Sequence, residues 1–207
     1  MSLQGRIFAA TYDRMSAKTE QAGLRALRQA LLANARGSVL EIGGGTGANL
    51  PFYSEAVSAL TVTEPEEPMA RRLQRRLAEH DALPAELVCA PAEALPFEDG
   101  HFDTAVSTLV LCAVEDQPRA LREIRRVLKP DGRLLFIEHV RAEDPRLARW
   151  QDRLTGFNHR MVGCDCNRAT LDGIRSAGFT IADVAHDELK KTPPFVRPLI
   201  VGTAVAG

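Results

Sequence analysis

A glycine-rich turn is the feature of the sequence that most directly indicates chemistry. The run Gly43-Gly44-Gly45-Thr46-Gly47 follows the apolar stretch 38–42, as in a buried strand that turns sharply into a helix. Glycine permits positive φ and lets a ligand approach the backbone, and a helix N-terminus offers free N–H groups. Gly43, Gly45 and Ala48 also satisfy the G-x-G-x-x-A pattern of dinucleotide sites. We therefore expect a nucleotide-like ligand at this turn.

Two carboxylates narrow the identity of that ligand. Glu41 lies two residues before the first glycine, where a negative charge disfavours a pyrophosphate but suits a cationic amino-acid head group. Glu64 ends the next predicted strand and is placed to accept both hydroxyls of a ribose, although a nicotinamide-binding protein would use it in the same way. Residues 91–97 follow the third predicted strand, where an adenine edge would lie. S-adenosylmethionine combines an adenine, a ribose and a cationic amino-acid arm.

The elements that must position these residues alternate between strand and helix. A doubly wound parallel sheet follows from that alternation, with ligands bound at the carboxyl ends of the strands. The last two strands have no clear helix between them, so they are expected to form an antiparallel pair at one edge. The predicted strands are 38–42, 59–63, 87–89, 102–108, 133–138, 179–184 and 199–205, and the predicted helices are 19–34, 66–79, 118–128 and 170–177.

Length and composition exclude several classes of protein. The chain has 207 residues, 45% hydrophobic and 26% charged, which is typical of one globular domain and not of a disordered chain. A net charge of −1 removes the bulk electrostatic reason to expect a nucleic-acid partner. No apolar run is long enough to cross a bilayer, and the first residues lack the layout of a signal peptide. These features predict a cytoplasmic protein without a membrane anchor.

The cysteines predict no metal site. Four of them are present, and in a cytoplasmic protein they are expected to be thiols. Cys164 and Cys166 form a C-x-C pair with His159 nearby, but no second pair stands at a recognisable spacing. Cys89 and Cys112 lie in apolar runs and are most simply small core residues.

Four ordered motifs resemble those of class I S-adenosylmethionine-dependent methyltransferases, and the resemblance covers about residues 8 to 205. It implies a doubly wound, Rossmann-like mixed sheet of seven strands with an antiparallel C-terminal strand and helices on both faces. The motifs are 40–49 (LEIGGGTGAN), 92–97 (AEALPF), 102–103 (FD) and 126–132 (RVLKPDG). A narrower resemblance, to the methyltransferase-like thiol S-methyltransferases of animals and their bacterial relatives, lies in 107–114, 138–140, 163–164 and 197–198. The animal proteins carry an N-terminal membrane anchor that this sequence lacks, so membrane association is not implied.

The resemblance also implies an organisation and a set of site residues. One methyltransferase domain spans 1–207: an N-terminal lid and helix in 1–36, the cofactor-binding core in 37–140, an acceptor-side segment in 141–178 and a terminal strand pair in 179–207. Two positions depart from the family pattern: Pro91 replaces an aspartate that many broader relatives have, and Gly44 replaces a common cysteine, which is a mild change. The implied cofactor-binding residues are Tyr12, Glu41, Gly43, Gly44, Gly45, Thr46, Gly47, Asn49, Glu64, Pro65, Met69, Ala92, Glu93, Thr108 and Leu109.

Methyl transfer itself asks little of the protein. The sulfonium methyl group is already electrophilic, so most of the rate gain comes from positioning an in-line acceptor. A thiol acceptor, with a pKa of ~8.5, needs only modest help to lose its proton, whereas a phenol or a carbon acid needs a stronger base. His139, just past the fifth strand, is the candidate catalytic base. It could equally cap the strand end. Trp150, Phe157, His159 and Met161 are candidates for an acceptor pocket, or for simple helix packing.

The predicted function is therefore S-adenosylmethionine-dependent methylation of a small molecule, with a thiol as the first choice of acceptor (S-methylation) and S-adenosylhomocysteine as the second product. N-, O- or C-methylation of a lipid head group or a quinone precursor is the alternative within the class. A nicotinamide-dependent oxidoreductase is a distant alternative, because neither Tyr12 nor Tyr53 has a lysine four residues later. A third hypothesis is that the protein binds the cofactor without catalysing a reaction. The sequence assigns no oligomeric state.

Overall fold

A computed structural model of the chain describes residues 16–79 and 84–207, and Tyr12 therefore lies outside the described residues. Every described strand coincides with a stretch rich in β-branched and apolar residues. The strands are β1 (Gly37–Ile42), β2 (Val57–Thr63), β3 (Ala85–Val88), β4 (Phe102–Thr108), β5 (Leu128–His139), β6 (Phe179–Glu188) and β7 (Pro198–Ala206). The α-helices are α1 (Arg25–Leu32), α2 (Glu67–Ala78), α3 (Gln117–Val127), α4 (Pro145–Val162) and α5 (Thr170–Ser176).

The described strands form one sheet in the order β3-β2-β1-β4-β5-β7-β6. Strand β1 pairs in parallel with both β2 and β4, and β4 pairs in parallel with β5. Strand β7 runs antiparallel between β5 and β6. The predicted mixed seven-stranded sheet with an antiparallel C-terminal strand is confirmed. The strand order reverses between β1 and β4, and ligands of such sheets bind outside the carboxyl ends at that reversal.

Helices cover both faces of the sheet, as predicted. On one face, Leu31 of α1 and Leu73 of α2 pack in a buried cluster with the side chains of β1 and β2. On the other, Leu121 of α3 and Ile174 of α5 pack with Phe136 of β5. A sheet buried on both faces is the environment in which continuous apolar runs such as these strands are stable.

The segment after β1 differs from the prediction. No α-helix follows the glycine turn in the described residues 43–56, where turns lead into the three-residue 3-10 helix Leu50–Phe52. Gly43, Gly45 and Gly47 all have positive φ, of 58°, 56° and 85°. These left-handed residues shape the turn itself, and turns continue from it to the short 3-10 helix, so the α-helix predicted after the turn was wrong.

Three other elements differ in their bounds or regularity. The predicted helix 19–34 contains a π-helical turn, Glu20–Leu24, with Gly23 at a φ of 141°, and α1 follows it. Strand β5 begins five residues earlier than predicted and includes the turn at Asp131, whose φ is 62°. Helix α4 has 18 residues and begins at Pro145, and the side chain of its N-cap residue, Asp144, accepts a hydrogen bond from the Arg146 N–H. Within residues 16–79 and 84–207, every helix is too short or too polar to span a membrane.

Candidate active site

The glycine turn lies against the end of β2. The Gly44 N–H donates to the Thr63 carbonyl at 2.9 Å. A Cβ at Gly44 would lie 2.2 Å from the Val62 side chain, whereas a Cβ at Gly45 would meet no atom within 4 Å. The turn is thus packed closely on its inner side and open at Gly45. The sequence analysis treats the exchange of cysteine and glycine at position 44 as a mild change. In this structure a cysteine there would require Val62 to move or to be replaced by a smaller residue.

Glu41 is buried where β1 ends. Tyr53 donates its hydroxyl hydrogen to Glu41 Oε2 at 2.7 Å, and Asn49 Nδ2 donates to Glu41 Oε1 at 3.0 Å. Burial raises the pKa of Glu41 to about 7, although these two hydrogen bonds and the charge of Arg28 lower it in part. A carboxyl group held in this way changes charge readily when a cation binds beside it.

Arg28 of α1 is a site residue that the sequence analysis missed. Its guanidinium is buried and donates to Glu20 Oε1 at 3.0 Å, to Asn49 Oδ1 at 2.8 Å and to Thr108 Oγ1 at 2.7 Å. These bonds join α1 to the carboxyl ends of β1 and β4. The position of Arg28 between Leu24 and Leu31, on the apolar side of the helix, is the signal that would have found it. A buried arginine is well suited to bind a carboxylate group through two parallel hydrogen bonds.

Glu64 lies at the end of β2, next to the turn. Its carboxylate accepts hydrogen bonds from the Gly45 N–H at 2.8 Å and from the Glu66 N–H at 2.9 Å. Burial raises the pKa of Glu64 above its ordinary value. Each backbone bond uses one lone pair of a different oxygen, so both oxygens keep capacity for ribose hydroxyls.

The predicted adenine-side residues are spread over three segments. Pro65 is exposed directly after Glu64, and Met69 is buried in α2. Ala92 is buried in the apolar cluster below β4. Glu93 accepts hydrogen bonds from the Glu115 N–H at 2.9 Å and the Asp116 N–H at 3.2 Å, which holds the loop before α3. These hydrogen bonds give Glu93 a structural role in holding that loop. Its contact with adenine stays a prediction.

The loop after β4 is held by Glu138 of β5. The Glu138 carboxylate accepts four hydrogen bonds, from the Ser107 hydroxyl and from the backbone N–H groups of Val110, Leu111 and Cys112, at 2.7 to 3.2 Å. Leu109, next to Thr108, has a φ of 62°, which is strained for a leucine. Thr108 lines the crevice at the end of β4, whereas Leu109 packs against the apolar cluster beneath it, and its contact with the cofactor stays a prediction.

His139 lies one residue further along β5, at its carboxyl end. Its ring Nδ1 is 3.5 Å from the Cys112 sulfur and 3.4 Å from the Cys164 sulfur. Its Nε2 is buried without a hydrogen-bond partner among the described residues. Burial lowers the pKa of His139 to about 4, so the ring is neutral near pH 7. The role of His139 as a catalytic base stays a prediction.

Charged and polar groups meet in one crevice at the strand-order reversal. Arg28, Glu41, Asn49 and Thr108 line it together with the glycine turn. These groups fit S-adenosylmethionine: Glu41 would face the cationic part of the amino-acid arm, Arg28 its carboxylate, and Glu64 the ribose. The open side of Gly45 leaves space for the close approach of a nucleoside. Thr46, also predicted, is buried in the same turn.

Comparison with known proteins agrees with this geometry. The family model of a methyltransferase domain matches residues 40–136. Human thiol S-methyltransferase TMT1A is 37% identical over 172 residues, which cover 81% of this chain and 70% of that protein. Phosphatidylethanolamine N-methyltransferase of Cereibacter sphaeroides is 32% identical over 154 residues, which cover 73% of this chain and 74% of that protein.

A solved structure shares the whole fold. The crystal structure of an S-adenosylmethionine-dependent methyltransferase from Thermotoga maritima, described as a possible histamine N-methyltransferase, matches with a TM-score of 0.70 and 23% identity over 98% of both chains. Fold, crevice and relatives together define a class I S-adenosylmethionine-dependent methyltransferase. Within that class, the chain belongs to the methyltransferase family that includes human TMT1A.

Proposed function

We propose that this enzyme transfers the methyl group of S-adenosylmethionine to the sulfur of a small thiol in the cytoplasm. The observation that carries the proposal is the similarity to the thiol S-methyltransferases, 37% over most of the chain. The carboxyl ends of β4 and β5, where the acceptor would bind, support the proposal. The sulfur atoms of Cys112 and Cys164 and the neutral imidazole of His139 lie there. Such an environment is weakly basic, and a thiol is the acceptor that needs the weakest base.

The cofactor supplies an electrophilic methyl group and a neutral thioether leaving group. Arg28 and Glu41 would bind opposite charges of the amino-acid arm, which orients the sulfonium toward β4 and β5. Glu64 would hold the ribose and fix the other end. The loop that contains Thr108 and Leu109 is held by hydrogen bonds to Glu138. It would close the side of the crevice that binds the amino-acid arm of the cofactor. Positioning of this kind accounts for most of the rate gain in a transfer between two bound molecules.

Acidic groups near the acceptor end are already engaged. Glu138 accepts four hydrogen bonds and lies entirely buried. Asp165 pairs with Arg168 at 2.7 Å and with His159 at 3.1 Å. Neither carboxylate is available as the base that an alcohol or an ammonium group requires. This distribution of charge supports a thiol over an oxygen or nitrogen acceptor.

The test compares acceptors that share one carbon skeleton. An alkyl thiol, the matching alcohol and the matching amine are incubated separately with the enzyme and methyl-labelled S-adenosylmethionine, and products are identified by mass spectrometry. We expect the methyl thioether, with kcat/KM for the thiol at least tenfold above that for the other two. The Glu64→Ala variant provides the control for cofactor-dependent product. Preferential methylation of the alcohol or amine would overturn the proposal.

A lipid head group is the second candidate, favoured by one surface feature. Trp150, Phe157 and Met161 of α4 are 45%, 65% and 61% exposed, so they neither pack the helix on the sheet nor line a closed pocket. Exposed apolar groups of this size commonly mark an interaction surface. Vesicles of phosphatidylethanolamine form a fourth arm of the same assay. Faster labelling of the lipid than of the thiol would favour this candidate.

A further inference from the structure

Three sulfur atoms and one imidazole meet beneath the loop that follows β4. Cys112 comes from that loop, His139 from the end of β5, and Cys164 and Cys166 from the segment after α4. All four residues are buried. One ligand atom each from Cys112, His139 and Cys164 lies within 4.8 Å of the other two. Because these residues are separated by 25 or more positions in sequence, spacing alone gave no sign of the cluster.

The distances match those between ligands of a tetrahedral zinc ion. His139 Nδ1 lies 3.5 Å from the Cys112 sulfur and 3.4 Å from the Cys164 sulfur. Zinc bonds of ~2.3 Å to sulfur and ~2.05 Å to nitrogen, at the tetrahedral angle, place the nitrogen and each sulfur about 3.6 Å apart. The cluster therefore needs adjustments of only about 0.2 Å to hold zinc on these edges.

A hydrogen bond at His139 Nδ1 accounts for only one of the two sulfur contacts of that atom. A neutral imidazole nitrogen has either one lone pair or one N–H, so Nδ1 makes one good hydrogen bond in its ring plane. Two buried sulfur atoms nevertheless approach it at nearly equal distances. One cation bound by Nδ1 and two thiolates removes this competition, because each of the three then donates a lone pair to the same centre. Two thiolates also neutralise a divalent charge, which a buried site requires.

The segments that carry these side chains are held in place by their own hydrogen bonds. The Cys112 N–H donates to Glu138 Oε2 at 3.2 Å, and the Cys112 carbonyl accepts from the Asp165 N–H at 2.8 Å. Asn158 Nδ2 donates to the Cys164 carbonyl at 2.6 Å. The backbone at Cys112 and Cys164 is thus held in place before any ion binds, and such preorganisation favours metal affinity.

We propose that Cys112, His139 and Cys164 bind one zinc ion through two thiolates and Nδ1, with the fourth position open. Cys166 lies outside the ligand set: its sulfur is 3.6 Å from that of Cys164 and accepts a hydrogen bond from Asn158 Nδ2 at 3.3 Å. Three protein ligands with one open position is the arrangement of catalytic zinc sites, including those with two cysteines and one histidine. Mixed sulfur and imidazole ligands favour zinc over magnesium or calcium.

The open position would take the acceptor thiol, a role that rests on the proposed function. On coordination the acceptor loses its S–H proton to solvent and binds as a thiolate, since zinc deprotonates a coordinating thiol. The thiolate sulfur forms a bond to the methyl carbon while the bond from that carbon to the sulfonium sulfur breaks. The electron pair of the broken bond remains on S-adenosylhomocysteine. The methylated product is a neutral thioether, a weaker ligand, and leaves.

Metal content and cobalt spectra test the site without measuring activity. The full chain is purified without chelators and analysed by inductively coupled plasma mass spectrometry, then loaded with Co²⁺ after zinc removal. We expect one equivalent of zinc per chain, and cobalt bands typical of tetrahedral thiolate coordination in the visible and near ultraviolet. Substoichiometric binding below a tenth of an equivalent after reconstitution with Zn²⁺, together with an octahedral cobalt spectrum, would overturn the site.

Variants assign the ligands. Cys112→Ser, His139→Ala and Cys164→Ser are each expected to lower zinc affinity at least tenfold, while Cys166→Ser and the exposed Cys89→Ser retain one equivalent. Circular dichroism excludes any variant that does not fold, and the cobalt spectrum of the unaltered chain decides the proposal even if all three ligand variants fail that check. Equal zinc content in all five variants would overturn the assignment, and so would zinc loss in Cys166→Ser.

The cobalt-loaded chain also separates this inference from the proposed function. Titration with a small alkyl thiol is expected to shift the visible bands, whereas the matching alcohol leaves them unchanged. No shift with the thiol would overturn the open position. If a zinc-free chain methylates thiols at the full rate, the metal role fails and the proposed function stands. If zinc binds but no thiol is methylated, the site stands and the proposed function fails.

Discussion

The buried carboxyl group of Glu41 makes the stability of this protein depend on pH. Glu41 lies almost wholly out of solvent, at 2% exposure, and its pKa is raised from 4.5 to about 7 by burial. We therefore consider Glu41→Gln, which keeps the size of the side chain and removes its titration. In the cofactor-free protein this change acts oppositely at low and high pH.

The magnitude follows from the shift in pKa. A pKa raised in the folded state means that the folded protein binds the proton more tightly than the unfolded chain does. The stabilisation is complete below about pH 4.5 and is lost as pH rises through about 7. The difference of 7 − 4.5 = 2.5 units corresponds to about 3 kcal/mol. Glu41→Gln also removes the acceptor of the Tyr53 hydrogen bond, which costs about 1 kcal/mol at every pH.

Urea unfolding followed by circular dichroism measures both effects. At pH 4.5 we expect Glu41→Gln to be less stable than the unaltered protein by about 1 kcal/mol. At pH 8.5 we expect it to be more stable by about 2 kcal/mol, since the ionisation penalty is gone. The change in the difference between these two pH values, about 3 kcal/mol, does not depend on the hydrogen-bond cost. Glu98→Gln, at an exposed glutamate, controls for the loss of one negative charge.

A difference between Glu41→Gln and the unaltered protein that is the same at both pH values would refute this reasoning. It would mean that Glu41 is ionised in the folded protein over the whole range. The same variant should bind S-adenosylmethionine more weakly at pH 8.5, because a neutral amide replaces the anion that would face the cationic arm. Isothermal calorimetry on the same samples measures that second effect.

Three further substitutions test other contacts of the crevice. Glu64→Ala is expected to weaken cofactor binding by about 1–3 kcal/mol, because a charged hydrogen-bond acceptor is lost, and unchanged affinity in calorimetry would remove the ribose assignment. Arg28→Met keeps much of the buried volume but removes the cation, so we expect at least tenfold weaker cofactor binding. An unchanged cofactor affinity in calorimetry would show that Arg28 has only a packing role. Gly44→Ala places a Cβ 2.2 Å from the Val62 side chain and should destabilise the fold by about 1–3 kcal/mol in urea. Adding Val62→Ala should recover most of that loss, and its failure to do so would contradict the steric explanation.

Local patterns in the sequence were sufficient for much of the fold. Apolar runs and helical spacing located every described strand and four of the five α-helices, with bounds that differ by at most six residues, because burial and backbone preference act over short windows. The main local error was the helix predicted after the glycine turn, where the chain forms further turns and a three-residue 3-10 helix. At Gly23 the conformation of one glycine interrupted the helical pattern, with a φ of 141°.

The part of the crevice proposed to bind the cofactor was predictable where its residues lie at the ends of strands that are consecutive in the sequence. Glu41 and Glu64 end adjacent parallel strands, and that topology brings their carboxyl groups to the same crevice. The contacts of Arg28 were not predictable in this way, since they cross from a helix to residues 21 and 80 positions away. Sequence spacing says nothing about such distances until the helix is packed on the sheet.

The sequence by itself determined the alternation of strands and helices, the glycine turn and the two acids beside it, because each depends on neighbouring residues. Only the tertiary structure decided that Arg28 reaches the crevice, that Glu93 holds a loop and that Cys112 and Cys164 converge on His139. The physical reason is that chain folding brings these groups together across long sequence separations, where burial and proximity, and not residue order, set their charge and their chemistry.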